Sequence, residues 1–290
     1  MKYIDKYLEY LKVVKKDSNY TISNYRIDLE ELYDFNIDIL GLKSKDVSDY
    51  LEFLYARKLS RSTIARKISS IRGFYQYLQG EGIIIENPFK EVTSPKRNMS
   101  LPKYVKGSDI EKMFLCFDKS DIFGQRNSLL LEMLYATGVR IGELVNIKLN
   151  NINRYDRTIK ILGKGSKERV VVYGSYCEDA LDLYLKDGRK ELDKKKSEFL
   201  FLNKAGNRLS DRYVRKVIDE VVRKCQVEYK VSPHTLRHTF ATDMLNNGAD
   251  LMTVKELLGH SSINTTGIYT HVSNEQLKKV YSFAHPRSKE

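Results

Sequence analysis

The sequence predicts a mainly α-helical protein, in which a small helical bundle precedes a mostly helical domain with a small antiparallel β-sheet. Apolar side chains recur at the spacing of one helix face throughout residues 1–94. Residues 95–103 carry two prolines and three positive charges, which is typical of a linker. Later helical patterns surround one alternating stretch with a glycine-rich turn. We therefore expect a helical domain over 1–94, a basic linker over 95–103 and a second domain over 104–290.

Four apolar stripes predict that the first domain is a bundle of four amphipathic helices. The stripes are Ile4, Tyr7, Leu8 and Leu11; Ile22, Tyr25, Leu29 and Leu32; Val47, Tyr50, Leu51 and Leu54; and Ile64, Ile68, Ile71, Tyr75 and Leu78. Ser44 is the predicted N-cap of the third helix. Gly80 and Gly82 are expected to end the fourth helix.

The second domain is predicted to begin with a helix, because Ser108 and Glu111 have the spacing of a capping box. Three further helices are expected over 127–137, 177–185 and 210–225, and an amphipathic one over 274–281. A β-hairpin is expected from strands at 158–162 and 169–173, and a short strand at 199–202.

Composition and charge narrow the class of protein. The 290 residues carry 50 basic and 38 acidic side chains, a net charge of +12, which favours a polyanionic partner such as nucleic acid. We expect no membrane span and no signal peptide. The three cysteines are far apart in the sequence, so we expect free thiols in a reducing cytoplasm rather than a zinc site or a disulfide framework.

Basic and hydroxyl side chains cluster around the start of the fourth helix and in the linker. Such groups at a helix N-terminus suit contacts with DNA phosphates, although a solvated basic face would have the same composition. The predicted DNA-contacting residues are Arg57, Arg61, Ser62, Thr63, Arg66, Arg72, Lys96 and Arg97.

Four short motifs in the second domain carry candidate catalytic residues. They occupy residues 136–144, 163–169, 233–241 and 257–271. Each has an ordinary alternative: a surface arginine, a glycine turn with a solvated lysine, or a tyrosine among many. His234 and His238 at i, i+4 could bind zinc, but the Glu of the metalloprotease pattern is absent between them.

Together and in this order, the motifs resemble those of the tyrosine recombinase family, which includes the phage integrases. Within the family, the sequence is most similar to the bacterial Xer recombinases. The resemblance implies an N-terminal core-binding domain of the SAM-like type and a catalytic second domain. It implies six catalytic residues, which are Arg140, Lys164, His234, Arg237, His260 and the nucleophile Tyr269. It gives Glu143 a supporting role, and it implies no cofactor and no metal.

The residue types fit attack on a DNA phosphodiester through a 3′-phosphotyrosyl intermediate. Arg140 and Arg237 can each hold two phosphate oxygens, and His260 can donate a further hydrogen bond. By resemblance, Lys164 is the general acid for the leaving 5′-oxygen and His234 is the candidate base.

The resemblance also implies partners. These are double-stranded DNA with paired half-sites, and a homotetramer or a heterotetramer with a paralogue. Val280, Tyr281 and Phe283 in the C-terminal tail are the expected residues for docking on a neighbouring protomer. The implied role is resolution of chromosome or plasmid dimers, in the cytoplasm at the nucleoid. The alternatives are a mobile-element integrase, a DNA-relaxing topoisomerase, a catalytically silent DNA-binding protein, and a metal-dependent nuclease or zinc protein.

Overall fold

The computed structural model of the chain describes residues 1–36, 38–95, 104–163, 168–259 and 273–288. The chain divides into two compact units, residues 1–100 and residues 101–290. Each unit has its own apolar core. Within the described ranges, no helix combines the length and apolar character needed to cross a bilayer.

The first unit contains the four helices that the apolar stripes predict. They are α1 (Lys2–Val13), α2 (Asn19–Phe35), α3 (Ser44–Ala56) and α4 (Arg61–Gly80). The stripe residues pack into one core, which Phe74 and Phe89 extend. The predicted bundle is therefore confirmed.

Hydroxyl side chains cap two of these helices, where their oxygens accept backbone N–H groups that the first turn leaves unpaired. Ser18 caps α2, and Ser60 caps α4. The predicted N-cap at Ser44 is wrong by one residue. Lys43 is the N-cap, because the Asp46 carboxylate accepts its N–H at 2.8 Å and starts the helix there.

A buried carboxylate joins α2 to α4. Asp28 has no exposed surface, and it accepts hydrogen bonds from Arg66, from Lys67 at 3.2 Å and from Ser70 at 2.9 Å. Lys67 also pairs with Glu31 at 2.8 Å. A buried charge is tolerated only where such partners compensate it, so this network fixes the two helices against each other.

The second unit is mostly helical. Its helices are α5 (Gly107–Leu115), α6 (Ile122–Thr137), α7 (Ile141–Leu144), α8 (Ser175–Lys186), α9 (Gly188–Leu192), α10 (Asp211–Lys224), α11 (Pro233–Asn246), α12 (Leu251–Leu258) and α13 (Asn274–Ala284), with a 3₁₀ turn at Leu149–Asn151. Helix α6 is buried along nearly its whole length and forms the centre of the unit.

A small antiparallel sheet covers part of this core. Its strands are β1 (Ile152–Asn153), β2 (Thr158–Leu162) and β3 (Glu168–Val172), in the order β1-β2-β3. The pairing of β2 with β3 confirms the predicted hairpin. The alternation along β2 points Ile159 and Ile161 into the core. Strand β1, which has only two residues, was not predicted.

Two predicted features of the second unit are wrong. Residues 199–202 form isolated bridges rather than a strand, because Phe199 pairs with Lys148 while Leu202 pairs with Arg208. The capping box at Ser108 is absent, since α5 begins at Gly107 and no side chain caps it.

Helix α13 packs on the second unit of its own chain. Leu277, Tyr281 and Ala284 are buried against residues of α11 and α12. Tyr281 was predicted to dock on a neighbouring protomer, but its ring is buried here because it stacks on His285 at 4.8 Å. Val280 is half-buried, and Phe283 is 61% exposed. Docking of Tyr281 on a neighbouring protomer therefore stays a prediction, and it requires α13 to detach from α11 and α12.

The cysteines differ from the expectation of three free thiols. Cys116 and Cys225 are joined by a disulfide across 109 residues of sequence, while Cys177 is buried and free. The physical reason is that Cys116 and Cys225 end α5 and α10, and these two helix ends meet. Sequence spacing alone cannot show that meeting.

Candidate active site

Arg140 is placed by the sharp end of α6. Gly138 ends that helix with a φ of +59°, and a Cβ there would lie 2.6 Å from the Phe240 ring, so only glycine fits. The chain then turns so that Arg140 becomes the N-cap of α7. The Arg140 side chain is 47% exposed, so its guanidinium is open to a ligand.

Arg237 lies one turn into α11, whose start is set by Pro233 and by the Ser232 cap. Its buried guanidinium donates to the carbonyl oxygens of Gly138 at 2.5 Å and Leu258 at 2.6 Å. Arg237 therefore ties the end of α6 to the end of α12.

Burial lowers the pKa of Arg237 to about 10, and the positive charges of Arg140 and Arg169 act in the same direction. The group still carries its charge at neutral pH. Because Arg237 is buried beside like charges, an anion bound at this point would offset an unfavourable electrostatic environment.

Glu143 stands between two arginines. Its carboxylate accepts the backbone N–H of Arg140 at 2.8 Å and the Arg140 guanidinium at 3.0 Å. Both of its oxygens also accept from Arg169, at 3.0 and 2.8 Å. Burial opposes ionisation, but the bonds from Arg169 and Arg140 outweigh it and lower the pKa of Glu143. The carboxylate is thus ionised at neutral pH.

Arg169 is a site residue that the sequence analysis missed. It lies at the start of β3, and its Nε also donates to the carbonyl oxygen of Leu257 at 3.1 Å. It belongs to the motif at 163–169, in which only Lys164 was assigned a role. The sequence offers one signal, Glu143, a carboxylate three residues after Arg140, but its contact with Arg169 spans 26 residues of sequence.

The described part of the site carries an excess of positive charge. Three guanidinium groups, those of Arg140, Arg169 and Arg237, surround the single carboxylate of Glu143. An anion such as a phosphodiester would reduce this excess, and Arg140 is the member most open to it.

The remaining predicted site residues are only partly described. His234 is exposed on the first turn of α11, and His238 is half-buried one turn later. Lys164, His260, Tyr269, Lys96 and Arg97 lie outside the described residues. In the ranges that the structure describes, no three His, Cys, Asp or Glu side chains are grouped so that they could hold a metal ion.

Several predicted DNA-contacting residues of the first unit already have partners there. Arg57 pairs with Glu31, and Arg66 pairs with Asp28. The Ser62 and Thr63 hydroxyls lie 2.9 and 2.8 Å from the Ser60 hydroxyl at the start of α4.

Arg72 and Arg61 complete the predicted set. Arg72 donates to the carbonyl oxygens of Phe89, at 3.1 Å, and Val92. These bonds connect the segment that follows α4 to the helix itself. Arg61 is the first residue of α4, and its side chain is exposed.

Two family models match the chain. The phage integrase family model matches residues 103–276, and the model of the phage integrase N-terminal SAM-like domain matches residues 4–82. Curated relatives are similar over nearly the whole length. The tyrosine recombinase XerC of Oceanobacillus iheyensis is 43% identical, covering 99% of this chain and 96% of the relative. The XerC of Anoxybacillus flavithermus is 42% identical, covering 97% of each chain.

Solved structures share the fold. The XerH site-specific recombinase bound to a palindromic difH substrate, in a post-cleavage complex, has a TM-score of 0.72 and 25% identity, covering 96% of this chain and 83% of that one. The XerA recombinase has a TM-score of 0.52 and 28% identity, covering 99% of this chain and 100% of that one. The chain therefore belongs to the phage integrase family, as a site-specific tyrosine recombinase of the Xer type that breaks and rejoins DNA.

Proposed function

We propose that the Tyr269 phenol oxygen attacks a DNA phosphate and forms a 3′-phosphotyrosyl bond while the bond from phosphorus to the 5′-oxygen breaks. The phenol proton passes to His234, and Lys164 protonates the leaving 5′-oxygen. Rejoining is the reverse attack by a 5′-hydroxyl on the phosphotyrosine. It needs no ATP, because the phosphotyrosyl ester conserves the energy of the broken bond.

The observation that carries this proposal is the cluster of Arg140, Arg237 and Glu143, which lies where α6 and α12 end and where α11 begins. A guanidinium matches two non-bridging phosphate oxygens, and its charge stabilises the negative charge that grows in the transition state. His260, which follows Gly259 at the end of α12 in the sequence, would add a hydrogen bond to the same oxygens.

Charge neutralisation in this proposal comes from side chains. Several cationic groups around one phosphate can do the electrostatic work that divalent cations do in other phosphoryl-transfer enzymes. We therefore expect full cleavage activity in excess EDTA.

DNA binding outside the catalytic site is proposed for the start of α4 and for the linker. Arg57, Arg61, Ser62, Thr63 and Arg66 surround that helix start, where backbone N–H groups also favour phosphate. Lys96 and Arg97 would add linker contacts to the DNA backbone. Arg72 supports this surface through its bonds to Phe89 and Val92.

The biological role that we propose is resolution of chromosome or plasmid dimers, which serves chromosome partition at cell division. Two half-sites bring two protomers together, and a synapse of two sites makes a homotetramer or a heterotetramer with a paralogue. Val280, Tyr281 and Phe283 would then dock on the neighbouring protomer. The place of action is the nucleoid in the cytoplasm.

The test is covalent trapping. The wild-type protein is incubated in EDTA with nicked suicide substrates prepared from DNA around its own gene and around the replication terminus. A covalent adduct on a denaturing gel is expected with the wild type and with Tyr155→Phe, a control at a tyrosine that is 97% exposed. No adduct is expected with Tyr269→Phe. Adduct formation by Tyr269→Phe, or DNA binding without any wild-type adduct, would overturn the proposal.

A further inference from the structure

The Arg169 side chain holds two of the recombinase motifs together. Its guanidinium makes two bonds with Glu143, which binds Arg140, and one with the carbonyl oxygen of Leu257. A Cβ added to Gly259 would lie 2.8 Å from Arg169 Cδ, so the end of α12 rests on this side chain. The side chain is 12% exposed, which leaves it little freedom to move.

The position of Arg169 in the chain adds a third motif. It follows Lys164 by five residues in the motif at 163–169, and Gly259 immediately precedes His260 in the sequence. One side chain thus links the motif of the proposed acid, the partner of Arg140 and the residue before the proposed phosphate-binding histidine.

The charge of Arg169 matters as much as its shape. Without it, Arg140 would be the one guanidinium partner of Glu143 among the described residues, and the two charges would cancel. With it, the negative charge of Glu143 is shared, and Arg140 keeps part of its positive charge for phosphate.

We propose that Arg169 is a positioning residue of the cleavage reaction, acting on Arg140 through Glu143 and on His260 through the end of α12. This inference rests on the proposed function. A lysine would not replace Arg169, because one ammonium group cannot match both carboxylate oxygens and a carbonyl oxygen with the planar geometry of a guanidinium.

The experiment compares Arg169→Met and Arg169→Lys with the wild type in single-turnover adduct formation on a suicide substrate. Since a small misplacement of reacting groups can cost up to about a hundred-fold in rate, we expect both variants to cleave roughly 10- to 100-fold more slowly. DNA affinity should stay within a factor of about three, because Arg169 is not expected to contact DNA. Arg154→Met is the matched control, since Arg154 pairs with Glu178 and Asp182 away from the site, and it should cleave at the wild-type rate.

A double-variant cycle separates positioning from general support of the fold. In a Glu143→Gln background the carboxylate charge is gone, so Arg169→Met should slow cleavage much less than it slows the wild type. Thermal melting of each variant checks folding, and Arg169→Lys decides the question if Arg169→Met does not fold.

The inference is overturned if Arg169→Lys cleaves within threefold of the wild type, or if the two substitutions have fully additive effects. An absence of wild-type adduct is a different result, because it overturns the proposed function itself. A normal wild-type adduct together with slow Arg169 variants supports both.

Discussion

Two clusters of arginine and glutamate in the second unit use the same groups in opposite ways. In the first, Glu143 is shared by Arg140 and Arg169, and Arg140 remains exposed. In the second, Arg287 binds both oxygens of the buried Glu132, at 2.6 and 2.8 Å. Aromatic rings flank that guanidinium, with its carbon 4.0 Å from the Phe114 ring centroid and 4.1 Å from the Tyr176 centroid.

The difference shows how one pair of residue types can serve binding or stability. At Glu143, the hydrogen bonds outweigh burial and lower the pKa of the carboxyl group. At Glu132, burial raises the pKa of the carboxyl group in spite of Arg287. The first cluster has a surplus of positive charge that an outside anion can use, whereas the second is balanced and closed.

The largest effect on stability is expected from breaking the closed cluster, which is the pair of Glu132 and Arg287. Arg287→Met would leave Glu132 buried without its counter-ion, which costs roughly 3–5 kcal/mol of unfolding free energy. Urea unfolding followed by circular dichroism measures the loss. The double variant Glu132→Gln with Arg287→Met should recover part of it, because no buried charge is then left unpaired. A loss below about 1 kcal/mol in the single variant would show that the cluster is not closed.

A substitution in the cluster of Arg140, Glu143 and Arg169 should change the rate of cleavage rather than the free energy of unfolding. Arg140→Gln should slow adduct formation about a hundred- to a thousand-fold, since it removes one guanidinium from the transition state. Its unfolding free energy should change by less than about 1 kcal/mol, because Arg169 still pairs with Glu143. Single-turnover cleavage and urea unfolding of one preparation give both numbers. A large loss of unfolding free energy together with cleavage at the wild-type rate would contradict this prediction.

A smaller effect is expected from His285, whose Nδ1 accepts a hydrogen bond from the backbone N–H of Arg287 at 3.1 Å. Burial lowers the pKa of His285 from 6.5 to about 3, so the folded chain binds a proton less readily than the unfolded chain. This contribution to stability is complete above pH 6.5 and is lost as pH falls towards 3. The loss is about 1.4 kcal/mol per pH unit below 6.5.

The variant His285→Gln isolates that contribution. Unfolding free energies of the wild type and the variant, measured from pH 7.5 to pH 5, should differ in slope by one proton below pH 6.5. Equal slopes of unfolding free energy against pH would mean that His285 binds its proton as readily in the folded chain as in the unfolded chain.

Much of the fold could be predicted because it depends on local patterns. The stripe from Ile64 to Leu78 has the period of a helix, and the alternation at 158–162 has the period of a strand. The strand predicted at 199–202 is wrong because the two ends of this segment pair with different neighbours, and its own residue pattern does not indicate those partners.

The site divides in the same way. Arg140, His234 and Arg237 could be proposed from the sequence because short motifs contain them, and the structure brings Arg140 and Arg237 together around Glu143. Arg169 could not, since its role depends on a contact across 26 residues, and Arg287 depends on one across 155. A motif identifies residues that meet a substrate, whereas the partners that hold those residues are chosen by the folded chain.

The contact between Glu132 and Arg287 also has a consequence for the order of folding during translation. At a synthesis rate of about 5–20 residues per second, Arg287 is made roughly 8–30 s after Glu132. During that interval Glu132 lacks its hydrogen-bonded partner Arg287, so burying helix α6 with that carboxylate ionised is unfavourable. The second unit should therefore complete its core only after α13 and Arg287 have been made, and until then the apolar surface of α11 and α12 that packs against α13 stays exposed.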